Sequence, residues 1–211
     1  MVKHIALGLL AAWGLSAWAQ PNGSTKPVFK VGEVAVYTVN NRADNQTVDE
    51  TVTVTAVESE LIRFSHVRPG REPAEIEGQF TPDMRQVQSG ASGTRFDPPA
   101  PLIKIPMAVG DNWKNAAEMV ARNNAKSKTD FEYKVVGTEK ITTPAGEFET
   151  FKIESGGWVT GVSWTGSVRV AQVHWYAPSI GRVVRSEYRD FRGGRPWNDT
   201  LTELKSFKPA P

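Results

Sequence analysis

The sequence predicts a mainly β protein. The expected form is a curved antiparallel sheet, a half-barrel or open barrel built as a meander, with at most one or two short helices. Three observations carry this. Thr47 to Val57 alternates strictly, with Val48, Val52, Val54 and Ala56 on one face and Thr47, Thr51, Thr53 and Thr55 on the other. Period-two patterning in β-branched residues is the mark of a half-buried strand. Turn chemistry recurs between such runs, at Pro69-Gly70, Thr143 to Gly146, Ala177 to Gly181 and Gly193-Gly194. Only the segment Trp113 to Asn123 carries a helical pattern.

The elements follow in order. Glu33 to Val39 aligns Ala35, Tyr37 and Val39, and Leu61 to Arg68 aligns Ile62, Phe64 and His66. Ala74 to Phe80 and Met84 to Gln88 are weaker strand candidates, and Gly90 to Pro101 is the best candidate for a mobile loop. Trp113 to Asn123 reads either way. Trp113, Ala116, Ala117, Val120 and Ala121 share a helical face, and Asp111 could cap it. Phe131 to Val136 and the run through Phe148, Phe151 and Ile153 form a hairpin across Pro144 and Gly146. Ser167 to Tyr176, Arg182 to Phe191 and Thr200 to Phe207 complete the meander. Gly146 and Gly181 each close a proline-led turn, where positive φ is expected.

The chain starts with Lys3, an apolar run from Ile5 to Leu15, and Ala17-Trp18-Ala19. This is the pattern of a cleaved secretory signal, with processing expected after Ala19. The expected division is a signal peptide at 1–19, a flexible lead-in at 20–27 and a single β domain at 28–208. Destination is then the periplasm or the medium. The apolar run is too short for a bilayer span of roughly 20 residues. There is no cysteine, which excludes disulfides and a lipid-bearing cleavage cysteine. A formal net charge of +2 leaves no basic face of the kind a nucleic-acid binder uses to displace counterions.

From Pro106 to Asp190 the motifs are Val109-Gly110-Asp111-Asn112-Trp113, Val136-Gly137-Thr138-Glu139, Thr143-Pro144-Ala145-Gly146-Glu147-Phe148 and Trp175-Tyr176-Ala177-Pro178-Ser179-Ile180-Gly181-Arg182-Val183-Val184. This stretch resembles a family of uncharacterised bacterial exported proteins of unknown function. That family looks related to the half-barrel periplasmic carriers that hold lipid or lipoprotein acyl chains. The resemblance implies a curved sheet with an apolar concave face, and no catalytic residues.

No catalytic constellation stands out. Gly161-Val162-Ser163-Trp164-Thr165-Gly166 is one residue too long for a nucleophile elbow. His66 and His174 lack metal-ligand spacing, so no metal site and no cofactor is expected. Asp49, Glu50, Glu58, Glu60, Glu75 and Glu77 read as a solvated strand face. The aromatics carry most functional weight. Trp158 and Trp164 lie in a glycine-rich stretch unsuited to a central strand. They, with Tyr176 and Phe64, are the candidate ligand contacts, while Trp113 and Trp175 read as core. The leading expectation is a non-enzymatic envelope protein that binds a lipid or other apolar ligand. The alternative is an accessory module docking an envelope partner through edge strands or loops, and a hydrolase is third.

Overall fold

The computed structural model describes residues 26–210. The expected signal peptide and most of the lead-in lie outside the described residues. Twelve strands follow one another in a meander: β1 Val34–Asn41, β2 Gln46–Val57, β3 Ile62–Val67, β4 Glu75–Phe80, β5 Gln86–Gln88, β6 Arg95–Ala100, β7 Asn112–Val120, β8 Lys126–Thr143, β9 Gly146–Gly161, β10 Ser167–Ala177, β11 Arg182–Arg192 and β12 Arg195–Lys208. Every neighbouring pair is antiparallel. Among the described residues there is no helix.

The sheet closes, which corrects the half-barrel or open-barrel expectation. β1 pairs β2 on one side, with Tyr37 opposite Glu50, and β12 on the other, with Tyr37 opposite Leu204. The hairpins between consecutive strands are local and follow from turn residues. Closure joins residues about 34–41 to 200–208, and no local pattern encodes it. It removes the two unpaired edges that an open sheet would expose.

Two further expectations change. Trp113 to Asn123, open between helix and strand in the sequence, forms most of β7. Its pairing with β8 runs unbroken from Asn112 opposite Lys134 to Val120 opposite Lys126. Helix propensity is a weak preference, and nine residues of ladder with β8, joined by β6 over the last three, override it. Trp113 also stacks flat on its cross-strand neighbour Tyr133, with ring centroids 5.3 Å apart. The expected mobile loop, Gly90 to Pro101, contains β6. Its prolines fit because β6 pairs β7 only over Arg95 to Asp97, so Pro98 and Pro99 interrupt no ladder with that strand.

The glycine-rich stretch of β9 also behaves differently from expectation. Gly157 is paired on both sides, with Phe131 and with Val170. A β-carbon there would stand 1.9 Å from the Asp130 carbonyl oxygen. The glycine lets β8 approach closely, so the segment is a central strand and not a rim. Gly146 and Gly181 do adopt positive φ, at 129° and 64°.

Alternation sorts the side chains. In β8, Ser127, Thr129, Phe131, Tyr133 and Val135 are buried and their neighbours exposed. One end of the barrel is plugged. The segment before β1 crosses it: Gly32 N–H donates to Val54 O, Val54 N–H donates to Glu33 O, and Phe29 meets Phe64 edge-on at 5.4 Å. Ile103 and Met107, between β6 and β7, are buried in the same cluster. A second, smaller core gathers Ile141, Trp175, Ala177, Val184 and Leu204. It forms where the far end of the β8–β9 hairpin reaches β12, and Ala145 N–H donates to Leu204 O at 3.3 Å.

A candidate ligand cavity inside the barrel

The inward faces do not meet at the centre. They leave a cavity of about 1050 Å³, at the upper limit of ordinary small-molecule sites. Its lower lining is apolar, from Phe29, Phe64, Phe80, Met84, Ile103 and Phe131. Gln46, Pro69, Gly70, Ala91 and Ser92 line it while being exposed. The mouth therefore opens among the β1–β2, β3–β4 and β5–β6 loops, opposite the plugged end.

The lining is two-sided. Gln172 and His174 of β10, Ser186 and Tyr188 of β11, and Thr200 and Thr202 of β12 form a polar stripe. Cross-strand pairing fixes it, with Gln172 opposite Tyr188 opposite Thr200, and His174 opposite Ser186 opposite Thr202. His174 Nε2 lies 3.3 Å from Gln172 Oε1, and Nδ1 has no partner. Burial pushes the His174 pKa down to about 4, so the ring is neutral.

That shift has a measurable consequence. Between about pH 6.5 and 4 the unfolded chain protonates His174 and the folded chain does not. Stability from this residue is thus complete above pH 6.5 and lost on acidification, by about 2–3 kcal/mol at pH 4.5. Urea midpoints of wild type and His174→Gln, measured from pH 7 to 4.5, should converge as pH falls. Parallel curves would show that His174 is not buried neutral.

A charged cluster stands beyond β1, on β2, β3 and the loop after β3. Glu50 is buried. His66 Nδ1 lies 3.1 Å from its Oε1, Arg68 Nη2 donates to its Oε2, and Arg71 Nη1 is 3.6 Å away. Burial alone would raise the Glu50 carboxyl, but hydrogen bonds from His66 and Arg68 and their charges outweigh it and hold it below the usual carboxylate range. The His66 ring is wedged against backbone: a β-carbon at Gly90 would stand 1.9 Å from its Cδ2. Arg71 staples two loops, donating to the carbonyls of His66, Pro73, Ala74, Gly90 and Ala91.

The four sequence candidates separate. Phe64 lines the cavity. Tyr176 is buried in the surrounding core, 1% exposed, and does not line the cavity. Trp158 and Trp164 are 52% and 38% exposed and also lie outside the lining. Trp158 is paired with Asp130 and Arg169 on the outward parity of β9. Sequence reasoning passed over Glu50, reading it as solvated. The available signal was its parity, because it sits with Val48, Val52 and Val54 on the apolar face of β2. His174 and Gln172 had no comparable signal. Among the described residues, no group of three or more His, Asp or Glu side chains is placed to hold a metal ion.

The family model for DUF3108-like proteins matches residues 75–194, which covers β4 through β11. The chain belongs to the DUF3108-like family. The match contains the turn motifs from Val109 to Val184 and extends beyond them at both ends. Two solved structures share the fold. One is a Bacteroides fragilis protein assigned as exported, with a YmcC-like fold: 16% identity, 88% of this chain and 99% of that chain covered, TM-score 0.56. The other is a Parabacteroides distasonis protein assigned as a lipoprotein: 14% identity, 90% and 100% covered, TM-score 0.55. No curated protein matches the chain. Within the family match lie β9 to β11 and most of the polar stripe, whereas Glu50, His66 and Arg68 precede it.

Proposed function

We propose that this DUF3108-like barrel is exported to the cell envelope and holds a lipid or other apolar ligand in its cavity, without catalysis. The observation that supports this most is the cavity itself: large, apolar at its plugged end and open at the other. Apolar wall left facing water is unfavourable, at roughly 25 cal/mol per Å². A space of this size is better explained as a binding site than as a packing defect. The export pattern at Ala17 to Ala19 and the two exported or lipoprotein fold neighbours agree with an envelope location.

Titrating the purified protein with a fluorescent long-chain fatty acid tests the reading. Saturable one-to-one uptake at micromolar concentration is expected, and Phe64→Arg should abolish it by placing a charge at the apolar end. Trp158→Ala and Trp164→Ala should leave uptake unchanged, since neither side chain lines the cavity. No saturable uptake of any long-chain ligand would overturn the proposal.

A second reading, docking of an envelope partner, draws on exposed Trp158, Val162, Trp164 and Trp197. Barrel closure leaves β1 and β12 paired to each other, so docking would use loops and outer faces instead of an edge strand. Retention of fatty-acid uptake with loss of partner capture on Trp197→Ala would separate the two readings.

A further inference from the structure

We propose that Arg68 anchors the anionic head of a single-chain amphiphile whose tail runs down to the Phe64 end of the cavity. This rests on the reading of the cavity as an apolar-ligand site and names the class of ligand.

Phe64, His66 and Arg68 share the inward parity of β3 and its extension, and all three line the cavity. Four residues of strand separate the first from the last, roughly 13 Å at the usual rise. The apolar end and the charged cluster are thus a tail's length apart along one wall. Arg68 adjoins Pro69 and Gly70, which are exposed at the mouth. A head placed at Arg68 would stay near water while its tail is removed from it.

The charges at the mouth do not balance. Arg68 and Arg71 face a single carboxylate, Glu50. Arg122 adds to the positive field around Arg71. The donors of Arg71 are taken by backbone carbonyls of the two mouth loops. Arg68 is different. Its Nη2 holds Glu50, but its Nε is buried without a hydrogen-bond partner among the described residues. A buried unpaired guanidinium donor is costly. The Arg68 side chain as a whole is 25% exposed, so a carboxylate or phosphate head meets the accessible part of the guanidinium and offsets the excess charge, and such charge-assisted bonds are the strong ones. A neutral hydroxyl head gains less on both counts.

The test compares hexadecanoic acid, hexadecyl phosphate and hexadecanol, by calorimetry on wild type and Arg68→Gln. Wild type should bind the acid and the phosphate about ten-fold or more tighter than the alcohol. Arg68→Gln should remove that preference and leave alcohol affinity within about two-fold. Because Arg68→Gln strips Glu50 of a partner, the double variant Glu50→Gln/Arg68→Gln is measured alongside it. It removes both charges, and it should show the same loss of preference. Which anion binds better tells a carboxylate source from a phosphate source. Equal binding of acid and alcohol by wild type overturns the Arg68 anchor while leaving the apolar-ligand reading intact, as does a preference that survives in both variants. Failure to bind any of the three overturns both.

Discussion

Glu33→Ala is expected to destabilise the protein by about 3–5 kcal/mol, the usual cost of leaving a buried charge without its partner. Glu33 Oε2 accepts from Arg182 Nη2 at 2.7 Å, and both side chains are only 9% exposed. The guanidinium lies 4.1 Å from the centre of the Phe29 ring and within 6 Å of those of Phe64 and Phe207. It has no water to turn to when the carboxylate is removed. The pair also ties the segment before β1 to the start of β11, so its loss opens the plugged end. Arg182→Met should cost a similar amount, because it leaves the buried Glu33 carboxylate without its partner. Glu33→Leu/Arg182→Met should recover most of the stability, since an apolar pair can replace a buried ion pair at little cost. Urea denaturation of the three variants checks the ranking, and limited proteolysis near residues 26–33 checks the loosened plug. A loss under about 1 kcal/mol for Glu33→Ala would mean that the pair is solvated.

Trp175→Ala should lose a similar amount, about 3–5 kcal/mol, for a different reason. The ring is 6% exposed and fills the second core beside Ile141, Val184 and Leu204. Its Nε1 donates to Glu139 Oε2 at 2.9 Å, and Lys152 Nζ and Arg185 Cζ stand 5.3 Å from the ring centre. Removing it leaves a cavity and strips the Glu139 carboxylate of a donor. It also weakens the contact that holds the far end of the β8–β9 hairpin against β12. Trp158→Ala is the control. That ring is half exposed on the outer face, so its removal should stay within about 0.5 kcal/mol. Equal losses at the two positions would contradict the burial of Trp175 in the second core and the exposure of Trp158 on the same outer face of the sheet.

The residues that spoke plainly in the sequence are those whose signal is local. The alternation of β2 and the turns at Gly146 and Gly181 were legible because strand periodicity and turn chemistry act over a few residues. Trp175 was legible as core by its size and apolarity. Trp158 and Trp164 were misplaced for a related reason. Glycine was taken as a sign of a weak rim strand, whereas Gly157 serves the close approach of β8. That depends on neighbours 26 and 27 residues distant through the hairpin, Phe131 and Asp130, and only the packed sheet reveals it. Glu50 was legible in principle, by parity, but a carboxylate on an apolar face makes sense only once Arg68 and His66 are seen beside it.

By itself, then, the sequence determined the β class, the antiparallel meander, the absence of disulfides, the export pattern and the family. Each follows from composition, from period-two patterning or from short motifs. Tertiary structure alone decided that the sheet closes, that β7 is a strand, and that the inward faces leave a cavity with a polar stripe and an arginine at its mouth. Closure depends on hydrogen bonds between β1 and β12, separated by nearly the whole described chain. The cavity depends on how far apart opposing walls are held once the barrel is complete. Neither distance is written in any run of neighbouring residues, because both are set by the number, tilt and register of strands acting together.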